Sequence, residues 1–136
     1  MFYEALSRRT TIDKNGNDKL VSEKFIVENA ELCAECEKRI LEEYNGENTC
    51  VYIKESHIKE FINMRSDDDE QIYFATIEGV VVKEDGEEAS TKYIVGLFAL
   101  TIESAMSSLV GYLEQVLNDF KIICLKKTKI VDLLKV

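Results

Sequence analysis

The sequence predicts an α+β fold, an internal duplication of a β-β-α-β(β) unit with antiparallel sheets and two helices packed on one side. The main observation is that the chain repeats its pattern at a spacing of about 70 residues. A strand, a hairpin turn, a second strand, a helix and a closing segment follow one another in each half. Such a repeat indicates two copies of one supersecondary unit.

Matched motifs locate the two copies. The matched segments are Tyr3–Ala5 with Tyr73–Ala75 at an offset of 70, Lys24–Val27 with Lys92–Val95 at 68, helices beginning near Ala30 and Ala99 at 69, and Ile58–Phe61 with Ile130–Leu133 at 72. The small drifts are changes in loop length. We therefore expect a first unit at residues 1–63, an acidic linker at 64–70 and a second unit at 71–136, forming one compact pseudo-symmetric domain.

The first unit opens with two predicted strands, 2–9 and 20–27, around a turn in which Gly16 can adopt a positive φ. A helix is predicted over 30–44, because apolar residues recur at helical spacing. Asn45-Gly46 ends it, since these residues tolerate a left-handed conformation. Residues 50–62 favour a strand with a bend or bulge near Glu55-Ser56, with continuation as a short second strand as the alternative.

The second unit follows the same order. Strands are predicted over 72–83 and 91–96, around the turn Glu84-Asp85-Gly86. The helix is predicted over 101–117, with Thr101 or Ser104 near its start. Residues 120–136 form the closing strand segment.

Composition limits the class of protein. The chain has 136 residues, a net charge of −9 and 46% hydrophobic residues, so it can bury a core. The acidic charge disfavours non-specific binding to duplex DNA, which depends on Lys and Arg. No apolar run approaches the roughly 20 residues of a membrane span. No signal-peptide pattern is visible at the N-terminus, and we expect a cytoplasmic protein.

Catalytic and metal-binding patterns are weak. The lone pair Cys33-Ala-Glu-Cys36 matches Ile102 and Ala105 of the second copy, which favours structural thiols over a zinc or redox site. The only histidine, His57, matches Lys129. No glycine-rich phosphate loop or nucleophile elbow occurs. We therefore expect no enzyme, no cofactor and no metal.

The second helix suggests a protein interface. From Leu97 onward its sequence is apolar nearly all round, whereas the first helix carries Glu31, Glu35, Glu37, Glu42 and Glu43. A helix that is apolar on every side must be covered on every side. We predict contact with another chain, as in a homodimer, through Leu97, Leu100, Met106, Leu109, Val110 and Leu113. The alternative is that the strand after Phe120 or the linker covers this helix.

A single-stranded nucleic-acid site is the rival hypothesis. Strand aromatics near lysines can hold single strands, because bases stack on the rings while cations follow the backbone. The residues in question are Tyr52, Lys54, Lys59, Tyr73, Lys126, Lys127 and Lys129. The other interpretation is that the aromatics are core residues and the lysines are ordinary strand-edge charges.

The whole doubled pattern resembles a small family of uncharacterised proteins of Bacteroidetes and their phages, including relatives of the crAss-like phages. The likeness rests on the aromatic-x-Ala strand, the turn ending in glycine and the Lys-aromatic-Ile-Val strand. It implies a phage or mobile-element origin and no known activity. Together with the residues, it favours a non-catalytic binding protein: an inhibitor of a host or defence protein, or a virion or replication accessory.

Overall fold

The computed structural model describes residues 1–136 and confirms the α+β fold. It contains eight strands in two sheets and two helices. The strands are β1 (Phe2–Ile12), β2 (Asp18–Glu28), β3 (Thr49–Ser56), β4 (Ile58–Phe61), β5 (Gln71–Val82), β6 (Glu88–Ala99), β7 (Phe120–Lys127) and β8 (Ile130–Lys135). The helices are α1 (Cys33–Glu42) and α2 (Ile102–Val116). The two-sheet arrangement is compatible with an internal duplication.

The chain divides into two compact units, each with one four-stranded sheet. Unit 1 contains Met1–Ser56 and Ile130–Val136, and its strands lie in the order β3-β1-β2-β8. Unit 2 contains His57–Lys129, in the order β4-β6-β5-β7. Three strands of each sheet are antiparallel, and the fourth (β8 beside β2, β4 beside β6) is parallel to its neighbour.

Strand register corrects one of the predicted offsets. Tyr3 lies opposite Val27 in unit 1, and Tyr73 lies opposite Leu97 in unit 2. The second strands are therefore related by 70 residues, and the predicted offset of 68 is wrong. A shift of two residues leaves every side chain on its original face of the sheet, so hydrophobic alternation does not reveal it.

The offset of 72 predicted for the closing segments agrees with the pairing, because Ile58 lies opposite Ile94 and Ile130 lies opposite Lys24, the residue 70 positions before Ile94. Tyr3 faces Glu55 and Tyr73 faces Lys127, which relates β3 to β7 by 72 residues. Each of these pairings is interrupted by a bulge at the same place, after Leu6 in β1 and after Thr76 in β5. Irregularities repeated at matched positions support the duplication.

Each helix covers one face of its own sheet. The core of unit 1 contains Tyr3, Ala5, Phe25, Val27, Ala30, Cys36, Ile40 and Leu134. The core of unit 2 contains Tyr73, Ala75, Ile77, Val95, Leu97, Ala99, Ala105, Leu109 and Leu113. Whether the two units behave as the single compact domain expected from the sequence stays a prediction.

The expected break near Glu55-Ser56 is present. β3 ends at Ser56, and β4 begins at Ile58 as a separate short strand. Although they are neighbours in sequence, β3 belongs to unit 1 and β4 to unit 2. In the same way, β7 belongs to unit 2 and β8 to unit 1. The last strand of each repeat thus completes the sheet of the other repeat.

Connector length forces this exchange. In the unit 1 sheet, β8 runs parallel to β3 and lies three strand spacings away, or about 14 Å. To stay in this sheet, β4 would have to occupy the place that β8 has. Only His57 separates β3 from β4, and one residue spans about 3.5 Å. A connection between parallel strands of one sheet needs about a dozen residues or more. The closing strand therefore cannot enter the sheet of its own repeat.

Candidate interaction surface

Thr101 sets the start of α2. Its Oγ1 accepts a hydrogen bond from Ser104 N at 3.1 Å, and the Ser104 Oγ accepts one from Thr101 N at 3.1 Å. This reciprocal capping satisfies two backbone donors that no helical carbonyl reaches. The predicted helix start is therefore confirmed. Leu97 lies before it, on β6.

Half of the predicted interface residues belong to the core. Leu97, Leu109 and Leu113 are fully buried in the cluster that α2 and its sheet form. They have no surface with which to contact another chain, so their prediction as interface residues is wrong. The reason is that the stripe Ala105, Leu109 and Leu113 is the side of α2 that packs on the sheet.

The remaining predicted residues reach the surface. Leu100 is 54% exposed and Met106 is 39% exposed, while Val110 is half-buried. The expectation that α2 is apolar all round is wrong, because small polar residues occupy its outer side. We call the exposed set the α2 face: Leu100, Ile102, Ser104, Met106, Ser107, Ser108 and Gly111.

The α2 face is poor in charge, because the exposed Glu103 is the one charged residue between Leu100 and Leu113. No charged residue occurs from Ser104 to Leu113, although 32% of the chain is charged. The segment of α1 matched to it at the offset of 69, residues 35–44, contains six charged residues. Glu37 stands there at the position of Met106, and both side chains are exposed. The two helices therefore share a fold position and present opposite kinds of surface.

The segment before β5 contains a further exposed methionine. Asn63 donates through Nδ2 to the Phe98 carbonyl at 2.9 Å, and the Phe98 N–H donates to Asn63 Oδ1 at 2.7 Å. This fixes Asn63 beside the end of β6, which leads into Leu100. Met64, the next residue, is 71% exposed. Sequence reasoning missed it because it lies in a charged linker.

That linker is ordered by its own charges. Arg65 donates to the Glu70 carbonyl at 2.7 Å, and its guanidinium lies 4.9 Å from the Phe98 ring centroid. The Glu70 carboxylate accepts from the backbone of Ser66 at 2.6 Å and Asp67 at 3.0 Å, and these hydrogen bonds lower the pKa of Glu70. The linker therefore has a defined local structure, in which the Glu70 carboxylate caps the backbone of Ser66 and Asp67.

The predicted nucleic-acid residues do not form one groove. Tyr73 is 4% exposed in the unit 2 core, so its ring cannot stack on a base. In unit 1, the Tyr52 hydroxyl donates to Glu4 at 2.9 Å. Lys54 Nζ lies 3.1 Å from the same carboxylate. The Glu4 carboxylate therefore neutralises the charge of Lys54, the lysine predicted to bind a phosphate beside Tyr52.

The remaining lysines of unit 2 lie far apart. Lys59, on β4, has its ammonium 4.3 Å from the Tyr93 ring centroid. Lys126 and Lys127 are exposed on β7, the opposite edge of the sheet, about 14 Å away. Lys129 follows β7 and is also exposed. Lysines on edge strands hinder pairing with strands of other chains. This role accounts for Lys126 and Lys127 on β7, and no bound ligand is needed to explain them.

The cysteines are free thiols in different surroundings. Cys36 is buried, and burial raises the pKa of its thiol to about 11. Cys33 is exposed at the first turn of α1, so only Cys36 is the core thiol that the repeat indicated. No three His, Cys, Asp or Glu side chains are grouped to hold a metal ion.

The fold and surface define an α+β protein of two compact units, one of which has a helix face poor in charge. The family model of a domain of unknown function, DUF4494, matches residues 1–136, and the chain belongs to that family. No curated protein matches the chain. Neither helix has the length and apolar character that crossing a membrane would require.

Proposed function

We propose that this protein has no catalytic activity and acts by binding another protein through the α2 face. We further propose that the chain forms a homodimer through this face. The observation that carries the proposal is the uncharged stretch from Ser104 to Leu113. Its exposed side chains are a methionine, serines and a glycine, beside Leu100 and Ile102.

Charge favours a second copy as the partner. Each chain has a net charge of −9, so two copies repel each other wherever acidic surfaces meet. A face whose one charged residue is Glu103, at its edge, allows contact with few like charges opposite each other. The acidic face of α1, which includes Glu37 and Glu42, does not meet this condition. A two-fold axis is the commonest arrangement for such self-contact.

Side-chain size favours close packing of two α2 helices. Ser104, Ser108 and Gly111 are exposed on the outer side of α2, and a Cβ added at Gly111 would meet no atom within 4 Å. Small residues allow the axes of paired helices to approach at the short end of the usual 8–10 Å range. Leu100, Ile102 and Met106, which are about half exposed, would then be covered, each contributing roughly half of the 1.5–3 kcal/mol that burial of a wholly exposed side chain gives.

Light scattering at micromolar concentration tests the proposal. The wild-type chain should have the mass of a dimer, and Met106→Glu and Ser107→Glu should each convert it to a monomer, because each places a carboxylate on the α2 face. Ala34→Glu is the matched control, since it adds the same charge at an exposed position of α1. A monomeric wild type, or a dimer that survives both substitutions, would exclude the proposal.

The identity of a further partner comes from the resemblance alone. A phage-encoded inhibitor of a host or defence protein, and a virion or replication accessory, are both proposals of that kind. Capture of one defined protein that is lost with Met106→Glu and kept with Ala34→Glu would support them.

A further inference from the structure

The two cysteines at the start of α1 differ in accessibility. Cys33 is the first residue of α1 and is exposed, whereas Cys36 lies one turn later and is fully buried. The repeat indicated a structural role for both thiols, and burial supports that role for Cys36 alone. A solute can reach Cys33, while Cys36 can react only with a group of its own protein. The two thiols are therefore suited to different steps of a reaction.

The helix holds these thiols within reach of each other. Residues three apart in an α-helix are separated by about 4.5 Å along the axis and about 60° around it, so their Cα atoms are about 5 Å apart. Disulfides join Cα atoms that are about 4.4–6.8 Å apart. Side chains at this spacing also share one face of the helix. The first turn of α1 therefore allows a disulfide between Cys33 and Cys36 without unwinding.

Tyr3 lies on the same side of α1 as both thiols. Its hydroxyl donates to the Glu31 carbonyl at 3.5 Å, which places the ring of this β1 residue at the start of the helix. Burial raises the pKa of Tyr3, and Cys33 and Cys36 each raise it further. Both thiols therefore lie near the Tyr3 hydroxyl, on the side of α1 that faces β1.

Unit 2 has neither thiol. The residues matched to Cys33 and Cys36 at the offset of 69 are Ile102 and Ala105, and Ala105 is buried in the unit 2 core. An apolar side chain thus fills in unit 2 the place that Cys36 fills in unit 1. Packing at this place does not require a thiol, so the pair in unit 1 is free to have a chemical role of its own.

We infer that Cys33 and Cys36 form a dithiol site that reduces a small disulfide such as oxidised glutathione. The Cys33 thiolate attacks one sulfur of the disulfide, so that a mixed disulfide forms on Cys33 and one thiolate leaves. The Cys36 thiolate then attacks the Cys33 sulfur and releases the second thiolate. The small disulfide gains two electrons from the two cysteines, whose protons pass through water to the released thiolates.

Burial of Cys36 is compatible with the second step. An alkylating reagent has to reach Cys36 from solvent, whereas the sulfur that Cys36 attacks belongs to Cys33 and is already one turn away. Groups held in this way react at a high effective concentration. One chain reduces one disulfide, so no turnover is implied. The site uses none of the α2 face and is independent of the proposed homodimer.

Mass spectrometry of the folded, reduced protein after incubation with excess oxidised glutathione tests the inference. The parent carries Cys124→Ser, which removes the other exposed thiol. It should lose two hydrogens and keep no glutathionyl group, and its tryptic peptide 25–38, which contains both cysteines, should resist alkylation. Cys36→Ala, which introduces the residue that unit 2 has, should keep a glutathionyl group on Cys33. Its mixed disulfide should be at least about tenfold more abundant than that of the parent.

Cys50→Ala is the matched control, because Cys50 is a half-buried thiol that packs against the same unit 1 core. It should close the disulfide like the parent. Circular dichroism verifies that each variant is folded. The inference is overturned if the parent keeps a glutathionyl group or stays reduced, if Cys36→Ala loses its glutathionyl group as the parent does, or if Cys50→Ala prevents closure.

Discussion

Asn48 donates a hydrogen bond through Nδ2 to the Ser7 hydroxyl oxygen at 2.9 Å. The same nitrogen donates to the Ile40 carbonyl at 2.9 Å, near the end of α1. Both side chains are buried. At the offset of 70, Ser7 corresponds to Ile77, which belongs to the apolar core of unit 2. Unit 1 therefore holds its helix end to β1 with polar contacts where unit 2 has an apolar residue.

Removal of this contact should destabilise the protein. Asn48→Ala leaves the Ser7 hydroxyl and the Ile40 carbonyl without their amide donor in a buried place. We expect the free energy of unfolding to fall by about 1–3 kcal/mol in urea titrations. Asn118→Ala changes the same residue type at an exposed position and should be nearly neutral. Equal effects from the two variants would contradict a role for the buried bond.

Replacing glycine by alanine should lower the stability of the protein in the turn at Gly16 and raise it in the helix at Gly111. Gly16 has a φ of 80°, a conformation that alanine adopts with strain, so Gly16→Ala should cost about 1 kcal/mol of unfolding free energy. Gly111 lies exposed within α2 with open space around it. Gly111→Ala should therefore stabilise the protein by about 0.5–1 kcal/mol. Thermal unfolding measures both, and a stabilised Gly16 variant would show that the turn has a different conformation.

Tyr112 and Tyr52 should ionise only at a pH well above the usual range for tyrosine. The Tyr112 hydroxyl donates to Glu60, and this hydrogen bond together with burial raises the pKa of Tyr112 from 10.0 to about 12. The protonated form is thus favoured in the folded state. The stability it contributes is complete below about pH 10 and is lost as the pH rises through about 12.

An ultraviolet titration of the phenolates measures this shift. Glu60→Ala should lower the pKa of Tyr112 toward 10.0. Tyr52 also has its pKa raised to about 12, by burial first and then by its hydrogen bond to Glu4, and it should not respond to Glu60→Ala. A titration unchanged by Glu60→Ala would mean that the Tyr112–Glu60 contact is not formed in solution.

Thiol reactivity should separate the cysteines. Cys33 and Cys124 are exposed, so they should react quickly with a thiol reagent. Cys36 is buried with a pKa of about 11, so it should react only when the protein unfolds. Elemental analysis should find no zinc. Stoichiometric zinc that is lost on Cys36→Ala would overturn the structural role of this thiol.

Local features of the fold could be predicted from the sequence because they depend on few residues. Thr101 begins α2 with a capping box, and the break near Ser56 separates β3 from β4. The two-residue error in β2 against β6 arose because Lys24–Val27 and Lys92–Val95 look alike, while strand pairing depends on partners far away in sequence. The register is visible only in the paired sheets.

The candidate surface was predicted only in part. Apolar spacing identified α2, but Leu109 and Leu113 turned out to be its core side and Met106 part of its exposed side. The number of apolar residues in α2 does not distinguish its buried side from its exposed side. That distinction requires knowing which side of the helix packs on the sheet. Met64 was missed because Asn63 brings it to the end of β6 through contacts with Phe98.

The one-residue connector at His57 also bears on how this gene arose. If the two halves arose by duplication, a single repeat with such a connector could not supply the parallel strand of its own sheet. It would have folded only as a homodimer that exchanged this strand, and fusion of two copies in tandem would have made the exchange internal to one polypeptide. Later divergence could give α1 and α2 different surfaces, because after fusion the two halves no longer had to be identical.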